Sequence, residues 1–277
     1  LGVAIETTYG YLTLNADGSY DYDAKANVTI PPGTQDVFTY TIKDGDGDLH
    51  YTTLTIDLTD SGLTAPDDDE VLVYEKALDT TQGGSDLAAS TYTGSIPSDT
   101  GETDASNQLN ATGGFGTLTY ALADGESATG DYGTIQINSD GTYTYTLTKP
   151  YDTAPDANNS TNEEENRDSF TYKVTDANGN TTTGTIYVDI VDDVPTAYSN
   201  TNSADEGEQN ITGNVLTDGT DDVFGADGAA TTSPAGGVVG VAAGNTGAAL
   251  DNSTTLGVAI ETTYGYLTLN ADGSYDY

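Results

Sequence analysis

The residues of this chain that could do chemistry are almost all carboxylates. It carries 45 Asp and Glu against 6 Lys and Arg, one histidine and no cysteine. Without cysteine there is no thiol nucleophile, and His50 is the single imidazole base. Pairs of carboxylates are too frequent here to mark a glycosidase, since any acid lies near another. We interpret His50 as a surface residue and expect no enzymatic activity.

The densest regular run of carboxylates is Asp44, Asp46 and Asp48, which are separated by glycines. Its spacing resembles the start of an EF-hand calcium loop. The sixth position is Leu49, where that loop needs Gly, and the twelfth is Thr55, where it needs Glu. We therefore reject an EF-hand. Two interpretations stay open, a hairpin turn that binds nothing and a turn that supplies ligands to a second acid cluster.

The overall charge narrows the choice of partners. The net charge is −39 at pH 7, with the acids spread along the chain. This charge argues against nucleic acid and anionic membranes as partners, and it requires screening salt or bound cations to limit self-repulsion. Calcium is the candidate cation. An acidic surface of the kind found in saline habitats is the alternative. No stretch approaches the roughly 20 apolar residues of a membrane span.

Short alternating runs between Gly, Asn and Asp turns predict an all-β chain. Leu12 and Leu14 lead through residues 15–18, which end in Asp-Gly, to Tyr20 and Tyr22. Such a turn suits a hairpin with one buried face, because Gly supplies the positive φ. The same pattern recurs in Ile135, Ile137, the turn 138–141, Tyr143 and Tyr145. We expect these tyrosines in the core or in cross-strand pairs.

A second kind of hairpin also occurs twice. Phe38, Tyr40 and Ile42 precede the Asp44–Asp48 turn and the apolar run 54–58. Its counterpart consists of Phe170, Tyr172, Val174, the turn 176–180 and the run 186–190. Short strands with regular turns favour tandem immunoglobulin-like β-sandwiches arranged end to end. A barrel is the alternative.

The sequence repeats itself over a long period. Residues 1–22 recur without substitution at 256–277, which indicates a repeat of whole domains. We predict that residues 1–61 are the C-terminal half of a sandwich domain A and that 62–193 are a complete domain B. Residues 194–277 are then the N-terminal part of the next copy of domain A. The chain is expected to need neighbouring copies of the same repeat as partners.

Acids and prolines cluster where the predicted domains meet. Calcium needs about six to eight oxygen ligands, which such a junction supplies by pooling two domains and their linker. The first pool is Asp57, Asp60, Asp67, Asp68, Asp69, Glu70 and Glu75, facing the turn Asp176, Asn178 and Asn180. The second pool is Asp189, Asp192, Asp193, Asp205 and Glu206, facing the next repeat's counterpart of Asp44, Asp46 and Asp48. Asp124, Glu126, Asp221, Asp222 and Asp227 are interpreted as solvated loop residues that could also be ligands.

Three segments carry a family resemblance: residues 168–197, 213–218 and 132–145. They resemble the cadherin-like and VCBS-type repeats of giant bacterial RTX adhesins, which are secreted by type I systems to the cell surface. The resemblance implies an extender role, in which calcium at the junctions stiffens a rod that holds a distal adhesion domain away from the cell. The Gly-rich nonapeptide calcium repeats and the secretion signal of those proteins do not occur in this sequence.

Two other functions remain as alternatives. One is a self-assembling extracellular filament or surface layer whose subunits exchange strands. This alternative predicts contacts between chains, whereas the extender role predicts a monomeric rod. The other is a carbohydrate-binding or enzymatic module, for which the 20 tyrosines would have to form a sugar-binding shelf.

Overall fold

A computed structural model describes residues 1–151, 162–231 and 234–277 of the chain. Within these ranges the structure consists of β-strands and two single-turn 3-10 helices, Glu75–Ala77 and Ser253–Thr255. No helix in the described part is long and apolar enough to cross a membrane. The predicted all-β class is confirmed.

The N-terminal region holds a three-stranded antiparallel sheet, in the order β1-β2-β3, and the separate hairpin β4–β5. The strands are β1 (Ala4–Glu6), β2 (Gly10–Leu14), β3 (Tyr20–Ala24), β4 (Gln35–Lys43) and β5 (Leu49–Asp57). Leu12 pairs with Tyr22 and Leu14 with Tyr20. Gly18, in the turn between them, has a φ of 87°. This hairpin is the one that the Asp-Gly signal predicts.

The middle region is a two-sheet sandwich. Its strands are β6 (Asp68–Tyr74), β7 (Thr103–Gln108), β8 (Thr119–Leu122), β9 (Gly133–Ile137), β10 (Thr142–Leu147), β11 (Glu163–Thr175) and β12 (Thr181–Val191). One sheet has the order β6-β12-β11-β8 and the other β7-β10-β9. Strand β6 runs parallel to β12, and the other neighbours are antiparallel. The first and last strands of the sandwich therefore lie side by side and end at the same pole.

Alternate residues of these strands fill the space between the two sheets. The core includes Val71, Val73, Ile135, Tyr143, Tyr145, Leu147, Phe170, Tyr172, Val174, Ile186, Val188 and Ile190. Burying a tyrosine requires a partner for its hydroxyl. Tyr143 donates to Asp68 at 2.9 Å, Tyr145 donates to Asp168 at 3.0 Å, and Tyr172 donates to a backbone carbonyl. These three tyrosines are core residues, as their strand spacing predicts.

The C-terminal region contains the second copy of the 22-residue repeat. Its strands are β13 (Thr212–Asn214), β14 (Ile260–Glu261), β15 (Tyr266–Leu269) and β16 (Ser274–Asp276), in the sheet order β13-β16-β15-β14. The repeat forms the same hairpin as in the first copy, and β13 joins its edge.

Candidate metal site

The parallel pairing of β6 and β12 brings acids from distant parts of the sequence together. Tyr74 pairs with Val191 at the end of both strands, so Glu75 and Asp192 leave the sheet side by side. Asp227 approaches from the next segment. Carboxylate oxygens of Glu75, Asp192 and Asp227 lie within 4.8 Å of one another. We call these three residues the junction cluster.

Glu75 is the buried member of the junction cluster, with an exposed fraction of 0%. Its carboxylate accepts hydrogen bonds from the backbone N–H of Tyr151 at 2.6 Å and of Asp193 at 3.3 Å. Burial raises the pKa of Glu75 to about 8, and the charges of Asp227 and Asp192 push it in the same direction. Burial also raises the pKa of Asp192. Such a carboxylate needs a proton or a cation beside it, and an oxygen-only donor set suits a hard cation such as calcium.

Asp193 is not part of the junction cluster and instead accepts hydrogen bonds from the segments around it. Its two carboxylate oxygens accept from the N–H of Ser95 at 2.7 Å, the hydroxyl of Ser95 at 2.6 Å, and the N–H groups of Val194 and Ala226 at 3.0 and 3.2 Å. Ala226 is itself buried against the sandwich core. Asp193 therefore fastens the segment that carries Asp227 to the pole of the sandwich.

The structure changes the grouping of the predicted ligands. Glu75 does not join the first pool, because it follows a strand of seven residues that carries it to the opposite pole. Asp189 accepts from the N–H of Asn166 at 2.7 Å, and Asp205 and Glu206 are exposed outside the junction cluster. Asp227, interpreted from sequence as a loop residue, lies in the cluster. Only the fold brings it there, since no motif links it to Glu75.

The remaining acids of the first pool are not gathered around one point. Among the described residues, no group of three acids with oxygens within 4.8 Å forms there. Four of these acids accept hydrogen bonds from separate places in the fold. Asp57 accepts from the Gln35 side chain, and Asp60 accepts from the N–H groups of Ile30 and Gly62. Asp67 accepts from the N–H of Thr185, and Asp68 accepts from the Tyr143 hydroxyl. Asp69 and Glu70 are exposed.

The turn from Asp176 to Asn180 contacts the N-terminal region through the side chains of two asparagines, Asn180 and Asn27. The side chain of Asp176 accepts from the N–H groups of Phe115, Asn178 and Asn180. Asn180 accepts from the N–H of Asn27 at 3.0 Å, and the Asn27 side chain accepts from the N–H of Thr181 at 2.6 Å. This reciprocal contact gave no signal in the sequence, where Asn27 is one of many asparagines.

Asp44, Asp46 and Asp48 form the other described group of three acids within 4.8 Å, and all three are exposed. Asp44 accepts from the N–H groups of Gly47 at 2.9 Å and Asp48 at 2.8 Å. A hydrogen bond with the Asp46 side chain holds the pKa of Asp44 below its usual value. The turn is thus stabilised by its own backbone, and its role as a ligand stays a prediction.

Comparisons with known proteins bear on the fold. Residues 2–59 match the family model described as bacterial Ig domain. The chain consists of tandem immunoglobulin-like β-sandwiches. No curated protein matches this chain. Among solved structures, the extracellular domain of protocadherin GammaB4 is 12% identical, with 71% of this chain and 27% of that chain covered and a TM-score of 0.23. This chain thus spans about a quarter of that protein's length, and the likeness carries no further argument.

Proposed function

We propose that this chain is a structural segment of a bacterial cell-surface adhesin. In this proposal, tandem immunoglobulin-like domains form an extracellular rod, calcium stiffens it, and a distal domain binds the target. The bacterial Ig match over residues 2–59 and the recurrence of a 22-residue segment support a repeated structural module. Such modules are typically not enzymes. Type I secretion belongs to the same proposal and rests on the resemblance of the repeats.

The junction cluster is the observation that carries the calcium part of the proposal. It lies where the chain leaves the sandwich of β6 to β12, and its carboxylates come from three segments. Three carboxylates this close repel one another when they are ionised. A divalent cation held by Glu75, Asp192 and Asp227 would replace that repulsion by attraction and join the following segment to the sandwich. The rod would then resist bending at this point.

The proposed division into residues 1–61, 62–193 and 194–277 places the junction cluster at the second boundary. The turn of Asp176 to Asn180 and its contact with Asn27 lie at the first boundary. The second boundary is therefore expected to depend on calcium more than the first.

Small-angle scattering of the whole chain, with millimolar calcium and with chelator, tests this function. Calcium should lengthen the maximum dimension and reduce flexibility, because the repelling acids no longer loosen the boundary. The double variant D192N/D227N should scatter alike in both conditions. The double variant D44N/D46N, which removes the same charge from the exposed turn, is the matched control and should respond like the parent. An equal calcium response in D192N/D227N and the parent would exclude the junction cluster, and no response in any variant would exclude calcium stiffening.

A further inference from the structure

The two copies of the 22-residue repeat have the same sequence and different surroundings. Gly18 is exposed, and a Cβ there would meet nothing within 4 Å. Its counterpart Gly273 is buried, and a Cβ there would lie 2.5 Å from the side-chain oxygen of Asn214 and 2.6 Å from Leu216. Described residues cover the turn of the second copy, and none of the described residues covers the same turn of the first.

The cover on the second copy consists of residues 211–216 and 236–238, which we call the covering segment. Strand β13 pairs with β16, with Thr212 opposite Asp276. Beyond the strand, the N–H of Val215 donates to Gly273 at 2.8 Å, and the N–H of Val238 donates to Ala271 at 3.0 Å. In the first copy, β3 is the edge strand of its sheet, and no described strand lies beyond it.

The complete sandwich shows what belongs on that free edge. In it, β7 pairs with the outer side of β10, with Asn107 opposite Tyr143. In the C-terminal region, Gly213 lies opposite Tyr275 in the same way. Tyr275 is the counterpart of Tyr20 in the repeated sequence. The covering segment is thus placed on β16 as β7 is placed on β10.

The N-terminal region otherwise repeats the plan of the sandwich. Tyr22 donates to Asp36 at 2.5 Å and its ring lies 6.2 Å from that of Phe38. In the sandwich, Tyr145 donates to Asp168 at 3.0 Å and its ring lies 5.9 Å from that of Phe170. Phe38 pairs with Leu54 across its hairpin as Phe170 pairs with Ile186. Strands β2 to β5 therefore correspond to β9 to β12.

By the same comparison, the described residues of this chain leave the apolar surface of the N-terminal region uncovered. Ile42 is 62% exposed, whereas Val174, at the same place in the sandwich, is 0% exposed. Tyr20 is 52% exposed. An open groove of about 830 Å³ runs along this surface, lined by Leu1, Ile5, Leu14, Tyr40, Ile42 and Leu54 among others. Exposed apolar side chains beside a free strand edge favour association with a partner.

We propose that the free edge of β3 and this groove, together the docking face, bind the covering segment of a second copy of this chain. Thr212 of this partner chain then lies beside Asp21, and Gly213 of the partner chain lies beside Tyr20. Two different surfaces meet, so the contact is head to tail and continues from copy to copy. In a tandem array the partner chain is replaced by the adjacent repeat of the same polypeptide. The proposal does not depend on calcium or on adhesion.

Between separate molecules, docking requires the covering segment to leave its own second repeat copy. The covering segment loses its contacts with residues 256–277 of its own chain and regains the same contacts with the identical residues 1–22 of the partner chain. The additional gain comes from the β4–β5 hairpin and the groove, which adjoin only the first copy. Residues 256–277 of the same chain compete with the docking face for the covering segment, because an attached segment has a high effective concentration. Weakening that copy alone should therefore favour exchange.

Disulfide trapping tests the proposal, since the chain has no cysteine of its own. Variant T212C is mixed in equal amounts with variant D21C and oxidised, with chelator present. Opposed residues of antiparallel strands are close enough for a disulfide. Random collision gives about twice as many mixed dimers as either pure dimer, and docking should raise that ratio severalfold. The variant T212C/D276C, which should close a disulfide within one chain, is the positive control.

Two substitutions at the same place in the repeat provide the matched pair. L269D in the T212C chain should release the covering segment and increase the mixed dimer. L14D in the D21C chain should reduce the mixed dimer to the random ratio. Peptide mass spectrometry identifies the linked residues. A random ratio in both the unmodified and the L269D background overturns the proposal, and so does a mixed dimer that L14D leaves unchanged.

Discussion

Asp192 and Asp193 are neighbours in sequence and serve different ends. Asp192 points to Glu75 and Asp227, whereas Asp193 accepts from backbone N–H groups and the Ser95 hydroxyl. The first residue therefore belongs to the proposed cation site. The second holds the segments that carry the site.

We expect the substitutions D192N and D193N to separate these roles. D193N should lower the free energy of unfolding without calcium by about 1–3 kcal/mol, because an amide cannot replace both acceptor oxygens. D192N should raise that value slightly, because it removes one of three mutually repelling carboxylates, and it should reduce the rise in Tm produced by calcium. Thermal unfolding with and without calcium measures both effects. A full calcium shift in D192N, or full stability of D193N, would contradict the assignment.

Glu102 is one of several buried carboxyls, and it should make the stability of the sandwich depend on pH. Among the described residues its Oε2 has no hydrogen-bond partner, and burial raises its pKa. A carboxyl whose pKa is higher in the folded state favours folding when protonated. Stability is therefore lost as the pH rises from the unfolded value through the raised folded value.

The substitution E102Q should remove this loss. We expect the variant to exceed the parent by about 1 kcal/mol at pH 7, because the amide is cheaper to bury than the charge, and to match it near pH 4. Urea unfolding at several pH values measures the difference. A difference that is the same at both pH values would show that Glu102 is not responsible.

At the scale of the elements, a buried acid joins the two sheets of the sandwich. Asp168 in β11 accepts from the Tyr145 hydroxyl in β10 and from the N–H groups of Asp131, Tyr132 and Gly133 at 3.1–3.2 Å. Removing the carboxylate leaves several buried donors without an acceptor, which is costly.

We therefore expect D168A to destabilise the sandwich by about 3 kcal/mol or more. Hydrogen exchange should accelerate throughout β9, β10 and β11. The variant D36A removes the corresponding acceptor from the N-terminal region and is the matched control. Its effect should stay within β2 to β4. Equal protection of β10 in D168A and the parent would show that the contact carries little stability.

The sequence predicts the hairpins well and the relations between distant strands poorly. Leu12, Leu14, Tyr20 and Tyr22 reveal their strands because alternation and an Asp-Gly turn are local signals. The sequence alone groups Glu75 with the acids at the wrong end of the sandwich, because the direction of β6 beside β12 depends on pairing across more than a hundred residues. Asp168 and Asp227 could not be singled out from 45 acids before the fold showed which are buried or gathered.

At the scale of the whole molecule, the net charge of −39 should make stability depend on salt. Raising the ionic strength from about 0.01 to 0.15 M shortens the Debye length from about 30 to 8 Å, which screens the repulsion among acids. We expect the Tm to rise over this range and to level off above it. Calcium should raise the Tm further than magnesium at equal ionic strength. A Tm that is independent of sodium chloride would show that self-repulsion is small.

The parallel arrangement of β6 and β12 also determines how the sandwich meets mechanical force. The chain enters at the start of β6 and leaves at the end of β12, at opposite poles. Tension on the two ends therefore pulls these neighbouring strands in opposite directions along their length. The hydrogen bonds between them are loaded in shear and must break together, whereas a hairpin pulled from its open end unzips one bond at a time. A segment of this design holds its length under pull until a high threshold and then yields in a single step.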